Sequence, residues 1–461
     1  MLNKQTKNAE KKLYFCKIDY KMKTSISNKE IWRIACPIML GFMTQTIISF
    51  TDTAFLGHLG MIELSASMMA GMYYFVFTTL AMGFAVGIQI FIARRYGEGN
   101  FSNIGKIFFH GAFFVFLLGL ALLSILYFSS GLLLDKIISS DNIYTSAKTY
   151  LNFRQFGIMF VVFNFLFRSL YVGISNTKAI TLSTVIMAIV NIFLDYALIF
   201  GHWGFAPMGI AGAAIASLSA EISACLFFII YTYFAVPQKY EIFKFHSIDK
   251  SLMSNLIKIA FPSMLQRLAS FGSWFVFFIM IEKMGEMAIG ISSLVRSVYM
   301  VLVIPSFAFA STANTLTSRL IGEGRSEEVF STLWKIIKNS VLCALPLALI
   351  VCIIPLQVIQ IYTDDITLAT LAQPTIYIIA VATLILSVST IFFESVSGTG
   401  NTHAAFVIEC SIIGTYLIYI YFMSILVPIH FVWTAEWLYN FFIGLFSFIY
   451  LKKAPWQKKK L

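Results

Sequence analysis

Charge is scarce in this chain. Of its 461 residues only 12% are Asp, Glu, Lys or Arg and 59% are hydrophobic, with a mean hydropathy of +0.82. A soluble domain carries about 25% charged residues, so the composition excludes a water-soluble protein and fits a polytopic membrane protein. Ten-residue segments of alternating polarity are missing, which argues against an outer-membrane barrel. The six cysteines (Cys16, Cys36, Cys225, Cys343, Cys352, Cys410) have no CxxC spacing, and all but Cys16 lie in apolar segments. They read as small packing residues without disulfide or metal roles. His58, His202, His403 and His430 form no HxxxH pair, which speaks against a metal site. No GxxxxGK[ST] loop is present, removing an ATP-driven pump from this chain alone, and no GxSxG elbow is present either. A cleavable signal peptide is not expected, because no short apolar run closely follows the basic start; Met1 and Met22 both fit as the first residue.

At about 20 apolar residues per span, the chain holds twelve helices. They fall near 33–57, 63–92, 107–134, 147–172, 179–201, 209–235, 255–281, 287–317, 335–361, 368–396, 403–426 and 430–451. Lysines cluster before the first span (Lys4, Lys7, Lys11, Lys12, Lys17, Lys21, Lys23, Lys29) and after the last (Lys452, Lys453, Lys458, Lys459, Lys460). Lysine flanking apolar helices is the positive-inside signal, so the net charge of +11 points to a membrane surface and not to nucleic acid. Both termini are expected in the cytoplasm of a bacterial inner-membrane protein. The expected organisation is a basic tail over 1–30, a first lobe of six spans over 31–235, a linker over 236–254, a second lobe over 255–451 and a basic tail over 452–461.

An internal repeat divides the chain. Ile34-Ala35-x-Pro37 recurs 225 positions later as Ile259-Ala260-x-Pro262, Gly97-Glu98-Gly99 as Gly322-Glu323-Gly324, and Asn176-Thr177 as Asn401-Thr402. Six spans per copy with both copies starting inside make the halves parallel, related by an axis along the membrane normal. The copies differ in charge: Asp52 and Asp195 correspond to Phe277 and Ile420.

A charge at the centre of a span costs about 2.5–3.5 kcal/mol on insertion scales, so each one needs a reason. Gln45 and Asp52 lie two helical turns apart and share a face, with Pro37 placed to bend the same helix. The alternative for Asp52 is a structural bond to backbone at the Gly57-x-x-Gly60 turn. Asn191 and Asp195 sit one turn apart in an otherwise apolar run; Asn191 alone would serve as a helix clamp, but a clamp needs no acid. Ser217, in a small-residue run from Gly209, offers a hydroxyl, and Glu221 a carboxylate one turn on. Polar candidates of the second copy are Gln266, Arg296, Glu394 and Asn401, with Arg267, Glu409 and Glu436 also inside spans. Glu394 is read as pairing with Arg296 or joining a proton route. Arg154 and Arg168 are read as structural, snorkelling residues. Crowded acids hold a proton readily, and the same oxygens suit sodium. Transport must then be passive or driven by an ion gradient.

These features together resemble the multidrug and toxic compound extrusion (MATE) family over about residues 30–450: Pro37, Gln45, Asp52 with Gly57-x-Leu59-Gly60, Asn191-x-x-x-Asp195, the run Gly209 to Ser217, and the paired Gly-x-Gly stretches. The resemblance implies an all-α fold of two six-helix lobes in a V, alternating access, and antiport of amphiphilic or cationic compounds against sodium or protons. It also implies a first-lobe cation site at Asp52, Asn191, Asp195 and Ser217, the last a threonine in several relatives. The NorM-like branch places carboxylates in the second lobe where this chain has Gln266 and Asn401, which favours first-lobe coupling as in the DinF-like branch. Some DinF-like relatives have a tyrosine where this chain has Ile48. No cofactor beyond the coupling ion is expected; the partners are small molecules and the lipid bilayer, and the unit is a monomer. The rivals are a flippase of lipid-linked saccharides, which would show a more basic cavity, and a membrane-embedded transferase, which would need a catalytic cluster in a polar loop.

Overall fold

The computed structural model describes residues 25–458. Most of the basic N-terminal tail with Cys16 and Met22, and Lys459 and Lys460, lie outside the described residues. Within them the secondary structure is helical, with no strand.

The first lobe contains α1 (Asn28–Leu59), α2 (Met61–Gly97), α3 (Phe101–Ile137), α4 (Asp141–Arg154), α5 (Gly157–Gly173), α6 (Lys178–Phe200) and α7 (Ile210–Ala235). The second contains α8 (Lys250–Glu282), α9 (Glu286–Leu302), α10 (Ile304–Gly322), α11 (Val329–Ile353), α12 (Pro355–Gln360), α13 (Ile366–Gly398), α14 (Thr402–Leu426), α15 (Ile429–Val432) and α16 (Ala435–Lys453). Ten helices among the described residues are long and apolar enough to cross a membrane; counting each of two bent pairs as one span gives twelve.

Those bent pairs correct the picture of unbroken fourth and eighth spans. The α4–α5 pair bends by 52° and the α9–α10 pair by 46°. Pro305, at the start of α10, has no N–H for the preceding turn and clashes with its carbonyl. At the other break Gly157 opens α5, and a Cβ there would collide with Arg154, Glu221 and Tyr74. Helix α8 begins at Lys250, where Asp249 caps it by accepting from the Ser251 and Leu252 amides at 3.0 and 3.2 Å.

The lobes meet where α2 crosses α10, near the end of the bundle that carries both described chain ends. A Cβ on Gly97 would run into the Arg319 carbonyl, and a Cβ on Gly322 into the Arg94 carbonyl. Repeat-related glycines thus let the two helices touch backbone to backbone. Around this contact Arg94 donates to the Ser318 and Thr399 carbonyls, both at 3.1 Å, and Ser318 donates to the Ile90 carbonyl at 2.7 Å. Arg319 pairs with Glu30 at 2.7 Å. Gln89 donates to Thr315 Oγ1 at 2.9 Å and meets its own repeat partner Asn314 at 3.4 Å. Among the described residues, hydrogen bonds between the lobes lie at this end, and the opposite ends are joined by none.

Candidate functional site

In the first lobe α1, α4, α6 and α7 converge on a polar cluster inside apolar walls. Asp195 is 0% exposed and Asn191 1%, as one helical turn on the buried face of α6 requires. Asp52 of α1 faces both of them and is itself half-buried. Both Asp195 carboxylate oxygens, both Asn191 amide atoms and Asp52 Oδ1 are buried with no hydrogen-bond partner in the protein. Buried polar groups are normally paired, and each orphan costs roughly 1–3 kcal/mol. An oxygen-rich set of orphans in one place is the signature of a site for a hard cation or a proton.

The remaining first-lobe candidates stand differently. Ser217 is half-buried on α7 and makes no hydrogen bond to the three. Gln45 is exposed on α1. Pro37 stays within an unbroken α1, and its carbonyl accepts from Thr181 at 3.1 Å. Glu221 is already neutralised: Arg154 grips it with two bonds of 2.7 and 2.5 Å. Arg154 also stacks 4.1 Å from the centre of the Tyr74 ring. The snorkelling reading of Arg154 is therefore corrected, since its guanidinium ends on a buried carboxylate and not at a membrane surface. Arg168 is half-buried, 5.9 Å from the Phe42 ring centre. Sequence reasoning missed Tyr74 and Tyr150, the latter lying near Arg154, Asp52, Glu221 and Asp195; buried tyrosines in an aromatic-rich chain give no signal of their own.

The second lobe encloses a cavity of about 220 Å³ between α8, α9, α10, α13, α14 and α16. Its polar wall holds Gln266, Arg267, Glu394, Glu409 and Glu436. Glu394 pairs with Arg267 at 2.6 Å, which corrects the first of its two readings, a pair with Arg296; Arg296 instead lies 5.3 Å from the centre of the Phe278 ring. Glu409 accepts from Ser270 and from Tyr439, the latter at 2.9 Å. Glu436 accepts from Tyr416 at 3.1 Å and Tyr299 at 3.2 Å. Asn401 does not line this cavity and donates to the Tyr450 hydroxyl at 2.6 Å.

Two segments, 37–197 and 262–424, match the MatE family model, and their starts are the repeat-related prolines. The chain belongs to the MatE family. A probable multidrug resistance protein NorM of Thermotoga maritima is 24% identical over 377 residues, 81% of this chain and 80% of that one. A probable NorM of Synechocystis is 25% identical over 344 residues, 73% of each. Among solved structures, a MATE protein in complex with MaL6 superposes with a TM-score of 0.86 at 18% identity, over 94% of this chain and 96% of that one. A MOP superfamily transporter from Pyrococcus furiosus gives 0.85 at 18% identity, over 95% and 98%. This MatE protein therefore has the family's twelve-helix, two-lobe fold. It is a multi-pass membrane transporter for small molecules and not an enzyme.

Proposed function

We propose that this transporter is a secondary antiporter that exports amphiphilic, cationic compounds in exchange for protons or sodium, coupled at Asp52, Asn191 and Asp195. The observation that carries this reading is the set of orphaned buried oxygens on those three residues. Two unneutralised carboxylates facing each other in a low dielectric repel strongly, and a proton or a sodium ion relieves that repulsion. The donor set fits either: carboxylate and amide oxygens are hard ligands, and Ser217 supplies a further hydroxyl one helix away. Half-buried Asp52 receives the ion, and enclosed Asp195 holds it. Holding it draws α1 and α6 together, and release lets them part, which biases the lobe between two arrangements.

The relatives named as probable multidrug resistance proteins support export of toxic compounds as the task, and coupling through the first lobe supports a DinF-like assignment. Lysine placement supports cytoplasmic termini, in which case the joined end of the lobes faces the cytoplasm. The cavity carries three carboxylates to one guanidinium, a polarity opposite to that wanted by a lipid-linked saccharide flippase.

Purified protein in liposomes tests the reading. Ion-driven accumulation of a fluorescent organic cation is expected, under a proton or a sodium gradient applied separately, and Asp195→Asn should abolish it while reaching the membrane at the wild-type level. Undiminished transport by that variant, or lipid scrambling in place of cation movement, sinks the proposal.

A further inference from the structure

The connection between α7 and α8, residues 236–249, stays on the molecular surface. We infer that it is seated in the bilayer interface at the joined end of the lobes and binds anionic phospholipid there. Its path follows α3. A Cβ on Gly105 would run into the Tyr240 and Glu241 carbonyls, and the Phe245 and His246 rings each lie 6.0 Å from that of Phe109. From Gly105 to Phe109 is about 6 Å of helix, so the connection runs up the flank of α3 and not out from its end. It is held there: the Asp249 amide donates to His110 Nε2 at 2.8 Å, and Lys106 pairs with the Asp249 carboxylate at 2.7 Å. That flank faces lipid. Phe109 heads a stripe with Phe113, Phe116, Leu117 and Leu120, spaced to one helix face, and those four are exposed. Phe245, 90% exposed, sits at the foot of the stripe. Phe243 lies 6.3 Å from the ring of Tyr233 near the end of α7, where Phe234 is exposed too. Rings gathered at the ends of spanning helices mark the interface level.

Charge selects the lipid. Lys106, Lys239, Lys244 and Lys250 stand against two acids, Glu241 and Asp249, so this patch is net positive. Exposed rings beside lysines suit an anionic phospholipid, the rings entering the acyl boundary while the ammonium groups meet the phosphate. Because Asp249 caps α8, the lipid is bound at the joint through which the second lobe follows the first. The inference needs neither the coupling ion nor the direction of transport. Only the choice of leaflet, the cytoplasmic one, follows from the reading of the termini.

Photocrosslinking on the full chain tests this, with p-benzoylphenylalanine in place of Phe245 or, as the bilayer reference, of Phe116. In nanodiscs of equal parts phosphatidylcholine and phosphatidylglycerol, both probes should yield lipid adducts by mass spectrometry. Adducts at Phe245 should be enriched several-fold in phosphatidylglycerol relative to those at Phe116. Lys244→Gln and Lys250→Gln should each lower that enrichment, by up to about fivefold, as one lysine near an anionic surface warrants. Adducts to protein alone at Phe245, with lipid adducts at Phe116, would place the connection in water and overturn the seat. Equal lipid ratios at both positions, or an enrichment untouched by both lysine variants, would overturn the anionic recognition. In cells, capture of a soluble protein by the Phe245 probe in place of lipid would refute the assignment as well.

Discussion

Arg154 shows how much a single side chain hides from a sequence reader. Its position in an apolar span suggests an arginine reaching for the membrane surface, and only the fold brings Glu221 from α7 to meet it. Replacing one partner of a buried ion pair leaves the other charge uncompensated, at a cost of about 3–5 kcal/mol. Arg154→Leu is therefore expected to lower the thermal midpoint sharply in detergent, and the double variant with Glu221→Leu to recover most of the loss. A double variant no more stable than the single one would show that the pair is not the source. Ser175 makes the opposite point. Its φ of +56° is a left-handed conformation that costs a non-glycine residue roughly 1–2 kcal/mol, and its hydroxyl is buried without a partner. The repeat-related residue is Gly400, at φ +87°. Ser175→Gly should stabilise the protein by about 1 kcal/mol, visible as a higher melting temperature; an unchanged or lower value refutes this.

Helices carry the next layer. Their number and order were legible from apolar length, but their breaks were not equally so. Pro305 announces the α9–α10 bend in the sequence, whereas the α4–α5 bend arises from room needed for an ion pair beside Gly157, a tertiary cause with no local signature. The repeat-related positions in α13 and α2 are unbroken, so each lobe bends a different helix, and each bend lies beside that lobe's polar cluster. Pro37 illustrates a compensated defect. Its missing N–H leaves the Arg33 carbonyl without its donor from within the helix, and Thr177 Oγ1 supplies one at 3.1 Å. Thr177→Val should cost about 1 kcal/mol in the wild type and almost nothing in a Pro37→Ala background, where an amide returns. A double-mutant cycle in a melting assay measures that coupling, and equal losses in both backgrounds would show that the hydroxyl does something else.

Across the whole molecule, the 225-residue repeat separates what the lobes share from what each does alone. The shared part is the seam: Gly97 with Gly322, Arg94 with Arg319, and Gln89 with Asn314 all occupy corresponding places on either side of it. The unshared part was half legible. Asp52, Asn191 and Asp195 stand out because Phe277, Tyr416 and Ile420 replace them, and Phe277 and Tyr416 indeed stack at 6.2 Å in a buried core. The second lobe's acids were legible one by one as charges inside spans, but Glu409 and Glu436, opposite Thr184 and Ala211, meet at one cavity only when α14 and α16 pack together. Charge is thus present in both lobes at different addresses. The seam also sets the state of the molecule, since bonds between lobes gather at one end. Arg94 is 2% exposed and its charge-assisted bonds to two carbonyls of the other lobe are worth roughly 1.5–3 kcal/mol each. Among the described residues no hydrogen bond or ion pair joins the far ends of the lobes, so loosening Arg94 should release the joined end. Spin labels at Lys178→Cys and His403→Cys, repeat-related and exposed on opposite lobes at that end, would report it in a background lacking the native cysteines. Arg94→Ala should shift the distance distribution to longer values, and Gly97→Ala should do the same by wedging α2 from α10. Distributions that stay at the wild-type distance in both variants would mean that the seam is held by apolar packing alone.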